Sequence, residues 1–146
     1  MSRSKDIGTW TETAVVRVLK ESGWPDAERK VLHGAYDQGD ITGIGPVCVE
    51  VKGGRAAENA SEGQVLAWMA DLDTECFNKA ADIGVLVMKR KGVGRANAER
   101  WWVVMWLADA AFNGQGWRHE LDDIPVRMTL ADACRVLRGL GYGGEK

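Results

Sequence analysis

The sequence predicts a mixed α/β fold in which helices pack against a central β-sheet. One observation is the helical spacing of apolar residues in three segments, near the start, the middle and the end of the chain. Another is a set of short valine- and isoleucine-rich runs that are bounded by glycines, as strands are. The expected order of elements is α-β-β-β-α-β-β followed by a C-terminal helix.

The first helix is predicted over residues 9–24. Thr9 followed three residues later by Glu12 matches a capping box, and Ser22-Gly23 supplies a stop. The residues that follow Glu12 on the same face of such a helix are apolar, which places this glutamate at the top of a core-facing stripe: Val15, Val16 and Leu19. A purely capping role and a role in a functional site are alternatives for Glu12.

The remaining elements follow from periodicity and from turn residues. Strands are expected at residues 29–36, 40–44, 47–52, 83–91 and 100–112. The second and third of these form a hairpin that turns through Gly43, Gly45 and Pro46. Helices are expected at residues 61–77, with apolar residues in 4-3-4 spacing, and at residues 129–140.

Length and composition restrict the class of protein. A chain of 146 residues is most simply one domain, 1–146, with a core at about residues 8–107 and a C-terminal extension, 108–146, whose role is open. Three cysteines without a C-x-x-C pair argue against a disulfide framework or a zinc site and favour a reducing cytoplasm. No apolar stretch approaches the roughly 20 residues of a membrane span, so no membrane partner is expected.

The net charge of −2 weighs against a protein that coats DNA by charge alone. It does not exclude an enzyme that acts on nucleic acid, because acidic metal ligands lower the net charge. The segment 39–54, GDITGIGPVCVEVKGG, holds such charges at the two ends of the predicted hairpin. A solvated hairpin is one interpretation of them, and a metal-dependent site that cleaves phosphodiester bonds is the other.

The geometry of a hairpin brings these charges together. Side chains alternate along a strand, so Glu50 and Lys52 share one face while the valines at 47, 49 and 51 occupy the other. A turn centred near residue 45 places Asp40 opposite residue 49 or 50, where paired Cβ atoms lie about 4.5–5.5 Å apart. Two carboxylates so close repel each other unless a cation lies between them. Oxygen ligands without His or Cys favour Mg²⁺ or Mn²⁺ over zinc.

Two more residues are candidates for this site. A lysine two residues from a metal-binding glutamate, here Lys52, can polarise the scissile phosphate or orient an attacking water. Gln64 begins the second predicted helix, and its amide is able to reach the same cleft. The alternative for Gln64 is an exposed position at the start of a helix.

Asp40, nine further residues and then Glu50-Val51-Lys52 resemble the D…(D/E)-x-K signature of the PD-(D/E)XK nuclease superfamily. Within it the chain is most similar to archaeal-type Holliday junction resolvases and their relatives in phages of actinobacteria. The resemblance covers about Gly8 to Leu107, in GTWTETAVVRVLKESGW, GAYDQGDITGIGPVCVEVK and ADIGVLVMKRKG. Gly39 stands where the motif has a proline, a departure that the superfamily tolerates.

The resemblance implies a restriction-endonuclease-like fold and an endonuclease that hydrolyses DNA. Glu12, Asp40 and Glu50 would ligate one or two Mg²⁺ ions, for which Mn²⁺ would substitute. Lys52 would be the catalytic lysine, and Gln64 would match a glutamine found near the site in many relatives. The resemblance also implies a homodimer that resolves four-way junctions in recombination or repair, in the cytoplasm of a bacterium or a phage-infected cell.

Other functions within and outside this chemistry remain alternatives. A restriction-type, flap-cutting or repair nuclease of the same fold would carry the same residues. A non-catalytic DNA-binding module would have no need to bring carboxylates together.

Basic residues are candidates for contacts with the phosphate backbone, or alternatively for a solvated rim. They are Arg29, Lys30, Arg55, Lys89, Arg90, Lys91 and Arg95. The glycine-containing segment 92–98, which carries Arg95, is predicted to be a loop that contacts DNA. The aromatic run WWVVMW belongs either to the core or to a subunit interface.

Overall fold

The structure, a computed structural model, describes residues 3–30, 40–112 and 119–144. Its helices are α1 Arg3–Glu21, α2 Gly54–Glu58, α3 Glu62–Lys79, α4 Leu107–Phe112 and α5 Leu130–Gly139. Its strands are β1 Glu28–Arg29, β2 Ile41–Thr42, β3 Val47–Lys52, β4 Ile83–Met88, β5 Trp102–Trp106 and β6 Pro125–Thr129. Two 3₁₀ helices span Arg95–Arg100 and His119–Leu121.

Strands β3 to β6 form a four-stranded mixed sheet in the order of the chain. β3 and β4 are parallel, with Glu50 opposite Leu86, and the connection between them contains α2 and α3. β5 is antiparallel to β4, and β6 is antiparallel to β5. β1 and β2 pair separately as a two-stranded antiparallel ribbon. The predicted mixed α/β architecture, a mixed sheet flanked by helices, is therefore confirmed.

The sheet separates two apolar cores, and alternation along β3 assigns its side chains to them. Val47, Val49 and Val51 belong to the larger core, together with residues of α1 and α5. Cys48 belongs to the smaller core, which α3 covers. The predicted valine face is confirmed, and Glu50 and Lys52 are left on the face that carries α3.

Helix α1 begins at Arg3 rather than at Thr9, so the predicted capping box is wrong. The helix extends further toward the N-terminus, where the Ile7 side chain lies beside Gly54 of α2 and the Ile7 carbonyl accepts a hydrogen bond from the Thr11 hydroxyl. Glu12 consequently lies inside the helix and caps nothing. The predicted stop is confirmed: α1 ends at Glu21, and the backbone closes the turn beyond it.

The predicted hairpin does not form as a pair of hydrogen-bonded strands. β2 pairs with β1, with Thr42 opposite Glu28, instead of with β3. Gly43 permits this path because it has a φ of 76°, and a Cβ there would come within 1.9 Å of the Asp26 carbonyl oxygen. Most of the strand predicted at residues 29–36 falls on 31–39, outside the described residues.

Asp40 nevertheless lies beside β3, as predicted from the position of the turn. Its backbone N–H donates to the carbonyl oxygen of Val49, with an N–O distance of 2.9 Å. β3 is the first strand of the four-stranded sheet, so no other described strand of that sheet covers the edge at which this contact forms. Asp40 thereby takes the position of a neighbouring strand for a single residue.

The C-terminal part differs most from the predicted order of elements. The long strand expected at residues 100–112 is β5 followed by α4, and α2 and β6 were not predicted. β6 is the last strand of the sheet, and its side chains are half-buried or exposed, so it carries no continuous apolar run. The predicted loop at 92–98 is partly the 3₁₀ helix Arg95–Arg100. The final helix is confirmed, with Thr129 as its N-cap.

The segment after residue 107 supplies both a strand of the sheet and a core helix. Leu130, Ala133 and Leu137 of α5 are buried in the larger core. In the aromatic run, Trp101 is buried, and Trp102 and Trp106 pack partly buried against the smaller core. No helix in the described ranges has the length and apolar character needed to span a membrane.

Candidate functional site

Three separate elements bring acidic side chains to the free edge and C-terminal end of β3. Glu12 comes from α1, Asp40 from the residue before β2, and Glu50 from β3 itself. The Asp40 carboxylate accepts a hydrogen bond from the Val51 backbone N–H, with an Oδ2–N distance of 2.7 Å. None of the described strands pairs with this N–H, so Asp40 satisfies its hydrogen-bonding requirement and is held at the edge of β3 by the same contact.

Glu50 is a buried carboxylate in which one of the two oxygens has a partner among the described residues. The residue is 7% exposed, and its Oε1 lies 3.3 Å from the Nζ of Lys52. Its Oε2 is buried and has no hydrogen-bond partner among residues 3–30, 40–112 and 119–144. Buried polar atoms nearly always have partners, so an oxygen of this kind marks a position for a water molecule, a ligand or an ion.

Lys52 is held at the end of β3 by two neighbours on the same face of the sheet. Its ammonium pairs with Glu50 and also lies 5.5 Å from the centroid of the Trp68 ring. Trp68 belongs to α3, which covers this face. The lysine is therefore positioned by packing and by charge, rather than extended into solvent.

Glu12 lies within the electrostatic field of the other carboxylates but has a cation of its own. Its Oε1 is 3.4 Å from a guanidinium nitrogen of Arg29, and the same nitrogen donates to the Thr9 hydroxyl. Burial raises the pKa of Glu12, Arg29 lowers it, and repulsion from Glu50 raises it further. Arg29, predicted to contact phosphate, thus neutralises a site carboxylate in this state.

Asp40 shows the strongest effect of crowding. Burial, together with repulsion from Glu50 and Glu12, raises the pKa of Asp40 to about 7. The Val51 N–H and Lys52 oppose this rise without cancelling it. Near neutral pH, Asp40 is therefore protonated in a substantial fraction of molecules, and a nearby cation would favour the ionised form.

The donor chemistry of this cluster fits a hard divalent cation. All candidate ligand atoms are carboxylate oxygens, as Mg²⁺ and Mn²⁺ prefer, and Glu50 has a free buried oxygen. Among the described residues, no group of three or more His, Cys, Asp or Glu side chains is arranged to hold a metal. Arg29 and Lys52 occupy one oxygen each of Glu12 and Glu50, so Glu12 would join a metal site only on leaving Arg29.

Gln64 is the third residue of α3, and its side chain is exposed. Its backbone N–H donates to the hydroxyl of Ser61, which caps the helix. Trp68 follows it by one helical turn and contacts Lys52, so the two side chains leave α3 on the same side. A role for the Gln64 amide in the site stays a prediction.

Lys89 and Arg90, which follow β4, lie next to the end of β3, because parallel strands end at the same edge of a sheet. The Lys89 backbone N–H donates to the Lys52 carbonyl at 2.9 Å. The side chain of Lys89 is engaged by Glu58 at 3.5 Å, and the Arg90 guanidinium lies 4.0 Å from the centroid of the Trp102 ring.

The other predicted basic residues are distributed around this edge. Arg55 and Lys91 are exposed, and the Arg95 guanidinium lies over the ring of Trp10. The backbone N–H of Lys30 donates to the Asp40 carbonyl, which places Lys30 beside the site. Their contacts with phosphate stay predictions.

Sequence reasoning missed the contacts that position the site. These are the pairing of Arg29 with Glu12, in place of the predicted phosphate contact, the hydrogen bond from the Val51 backbone N–H, and the ring of Trp68 beside Lys52. The spacing of Trp68 one turn after Gln64 was a usable signal for that side of the helix. The Arg29–Glu12 pair joins residues from distant elements, and no local pattern predicts it.

Comparisons of the chain with protein-family models, with curated proteins and with solved structures give no match. The chemistry of the site therefore has to be argued from its own geometry.

Proposed function

We propose that the chain is a metal-dependent endonuclease that hydrolyses phosphodiester bonds in DNA. The observation that carries this proposal is the convergence of Asp40, Glu50 and Lys52 at one edge of the sheet. A solvated charged hairpin would expose these groups to water. Glu50 is instead 7% exposed with an unsatisfied oxygen, and the pKa of Asp40 is about 7.

Each residue of the site has a role under this proposal. Asp40 and Glu50 would hold Mg²⁺ or Mn²⁺, with Glu12 as a third ligand. The bound ion would lower the pKa of a water molecule and neutralise charge that develops on the phosphoryl group. The ammonium of Lys52, oriented by Glu50 and Trp68, would donate hydrogen bonds to a non-bridging phosphate oxygen or hold the attacking water.

The substrate class and the finer fold belong to the same proposal. The parallel β3–β4 pair with antiparallel β5 is compatible with the restriction-endonuclease-like fold that the sequence resemblance implies. The same resemblance favours branched DNA, above all a four-way junction cut by a homodimer. Basic side chains at the ends of β4 and of α2 would hold the phosphate backbone around the cleft.

The test offers the purified chain three DNAs of matched sequence: a four-way junction, a flapped duplex and a linear duplex. Each is incubated with Mg²⁺, with Mn²⁺ or with EDTA, and nicks are mapped on denaturing gels. The expected result is metal-dependent cleavage with paired, symmetric nicks near the branch point. The isosteric variant Glu50→Gln should lose this cleavage.

Different outcomes identify different alternatives. Cleavage of all three DNAs without preference would support a nuclease but would contradict a junction resolvase. Cleavage confined to the flap would favour the flap-cutting alternative. DNA binding by the wild type without cleavage in either metal would contradict the proposal and favour a non-catalytic binding module.

A further inference from the structure

A cavity of about 310 Å³ lies beside the candidate site, between α1, α2 and the 3₁₀ helix Arg95–Arg100. Among its lining residues are Gly54, two positions after Lys52, and Lys89, whose backbone N–H donates to the Lys52 carbonyl. It therefore lies at the carboxyl ends of the parallel strands β3 and β4, the edge where open α/β sheets bind ligands. Its volume is at the lower end of the range of small-molecule pockets, about 300 Å³ and above.

Trp10 gives this cavity an exposed aromatic wall. The residue is 51% exposed, whereas tryptophan is highly buried on average. The Arg95 guanidinium lies over one face of the ring, 4.9 Å from its centroid. Trp101, which also lines the cavity, is buried and anchored by a hydrogen bond from its indole N–H to the Val93 carbonyl. Trp10 is therefore the aromatic side chain available to a ligand.

The cavity suits an anionic ligand that also has a flat ring. Glu58, Lys89 and Arg95 all line it, and because Glu58 pairs with Lys89, the positive charge left over in the lining is that of Arg95. A cation stacked on a tryptophan recurs along the same edge, with Lys52 on Trp68 and Arg90 on Trp102. Proteins that bind unpaired nucleotides interleave aromatic and basic side chains in this way, because bases stack on the rings while cations hold the phosphates.

We propose that this cavity binds an unpaired nucleobase of the DNA, stacked on Trp10, next to the phosphodiester bond that the candidate site cleaves. The position of the base relative to the cleaved bond rests on the proposed function; the binding of the base does not. A base at a branch point or in a single-stranded arm is free to enter the cavity, whereas a base inside a duplex has first to lose its pairing and stacking. The cavity therefore selects DNA with unpaired nucleotides beside a duplex.

Fluorescence anisotropy in EDTA tests the proposal, because binding is then measured without cleavage. The probe is a labelled duplex with a single-stranded arm, compared with the same duplex whose arm carries abasic residues throughout. The two DNAs have the same phosphate charges and differ only in the bases of the arm. The proteins are the wild type, Trp10→Ala, Trp10→Phe and Phe77→Ala. Phe77 is a matched control because it is 85% exposed near the end of α3, away from the cavity.

Trp10→Ala should bind the duplex with the normal arm about 10-fold more weakly than the wild type, as for the loss of one stacked base. The abasic arm should weaken wild-type binding by a similar factor and should cause no further loss in Trp10→Ala, since both changes remove one interaction. Trp10→Phe should retain most of the affinity, and Phe77→Ala should bind like the wild type. Circular dichroism and thermal unfolding verify that the variants fold.

Equal losses for Trp10→Ala on normal and abasic arms would overturn the proposal, as would unchanged affinity or a wild type that binds neither DNA. Failure of the proposed function is a separate result. Metal-dependent cleavage that does not depend on Trp10 or on the bases of the arm leaves the nuclease intact and removes the base site. If the affinities of the wild type and Trp10→Ala for the normal and abasic arms are as predicted but no DNA is cleaved in Mg²⁺ or Mn²⁺, the proposed nuclease activity is contradicted and the base-binding site is supported.

Discussion

Two groups of carboxylates lie at opposite ends of the same sheet. One comprises Glu12, Asp40 and Glu50, at the end of β3. The other comprises Asp73, Asp109 and Asp122, which line a cavity with Gly84 near the start of β4. Burial and repulsion between neighbouring carboxylates act in both groups, and they raise the pKa of Asp40 to about 7 and that of Asp109 to about 6.

The two groups differ in what opposes the negative charge. Arg29 and Lys52 act at the first, whereas the groups that lower the pKa of Asp73 and Asp109 are an indole N–H and a backbone N–H. A raised carboxyl pKa therefore reports crowding and burial, which both ends share. A lysine fixed beside a buried, half-satisfied glutamate is what distinguishes the candidate active site.

The largest effect is expected on the rate of cleavage, for Lys52→Ala, because Lys52 lies at the first group of carboxylates. Loss of one electrostatic stabiliser of a transition state lowers kcat by about 10²–10³-fold. We expect a decrease of that size in single-turnover cleavage of a four-way junction in Mn²⁺. Lys20→Ala is the matched control, because Lys20 is exposed near the end of α1. Cleavage by Lys52→Ala at the wild-type rate would remove Lys52 from the site.

The second largest difference between the two groups of carboxylates should be in their affinity for Mn²⁺. Asp40→Asn and Asp109→Asn make the same chemical change in two carboxyls that both have a raised pKa. Isothermal titration with Mn²⁺ should show affinity at least about 10-fold weaker for Asp40→Asn, since changes even in residues that support metal ligands cost 10–100-fold. Asp109→Asn should match the wild type. Equal losses in both variants would mean that acidity alone attracts the ion.

The first end of the sheet was largely predictable from sequence, and the second was not. Alternation along residues 47–52 and the position of the turn are local, so they correctly placed Glu50 with Lys52 and Asp40 beside residue 49. The group around Asp109 arises because the chain after β5 forms α4 and returns, and no local pattern signals that return. It was not predicted at all.

Where sequence reasoning failed, a tertiary contact competed with a local signal. The Thr9–Glu12 spacing fits a capping box, but α1 starts at Arg3, and Ile7, which precedes Thr9, lies beside Gly54 of α2. The hairpin opens because β2 pairs with β1. β6 was missed because the exposed edge of a sheet does not require an apolar run.

In the absence of metal, the free energy of unfolding should depend on pH because of carboxyl groups at both ends of the sheet. This dependence tests the feature that the two groups share, which is a raised carboxyl pKa. Asp40 has a folded-state pKa of about 7, above the roughly 3.9 of an unfolded chain, so its protonation stabilises the fold. That contribution is complete below about pH 4 and is lost as the pH rises through about 7. Relative to the wild type, Asp40→Asn should therefore gain about 2–4 kcal/mol of unfolding free energy between pH 4 and 8 in EDTA.

Urea unfolding across this pH range measures the effect. Asp109→Asn should show a smaller gain over a lower range, because the pKa of Asp109 is raised only to about 6. Adding Mn²⁺ should reduce the gain for Asp40→Asn and leave that for Asp109→Asn unchanged. A flat difference between Asp40→Asn and the wild type in EDTA would mean that burial and repulsion from Glu50 and Glu12 do not raise the pKa of Asp40.

The smallest effect on stability is expected for a substitution of Arg29, the cation that pairs with Glu12. The Arg29–Glu12 pair is partly exposed, so Arg29→Ala should change the unfolding free energy by less than about 1 kcal/mol. Because Arg29 competes with a metal for Glu12, the variant should bind Mn²⁺ as tightly as the wild type or several-fold more tightly. Urea unfolding and Mn²⁺ titration measure the two quantities, and weaker Mn²⁺ binding would contradict the competition.

Crystals of the wild type grown with Mn²⁺ provide the most direct test of the central claim. An anomalous difference map locates the ion independently of any assay of activity. We expect a peak within coordination distance of Asp40 and Glu50, with Lys52 adjacent to it. A peak at Asp73 and Asp109 instead, or no peak at the end of β3 under saturating Mn²⁺, would contradict it.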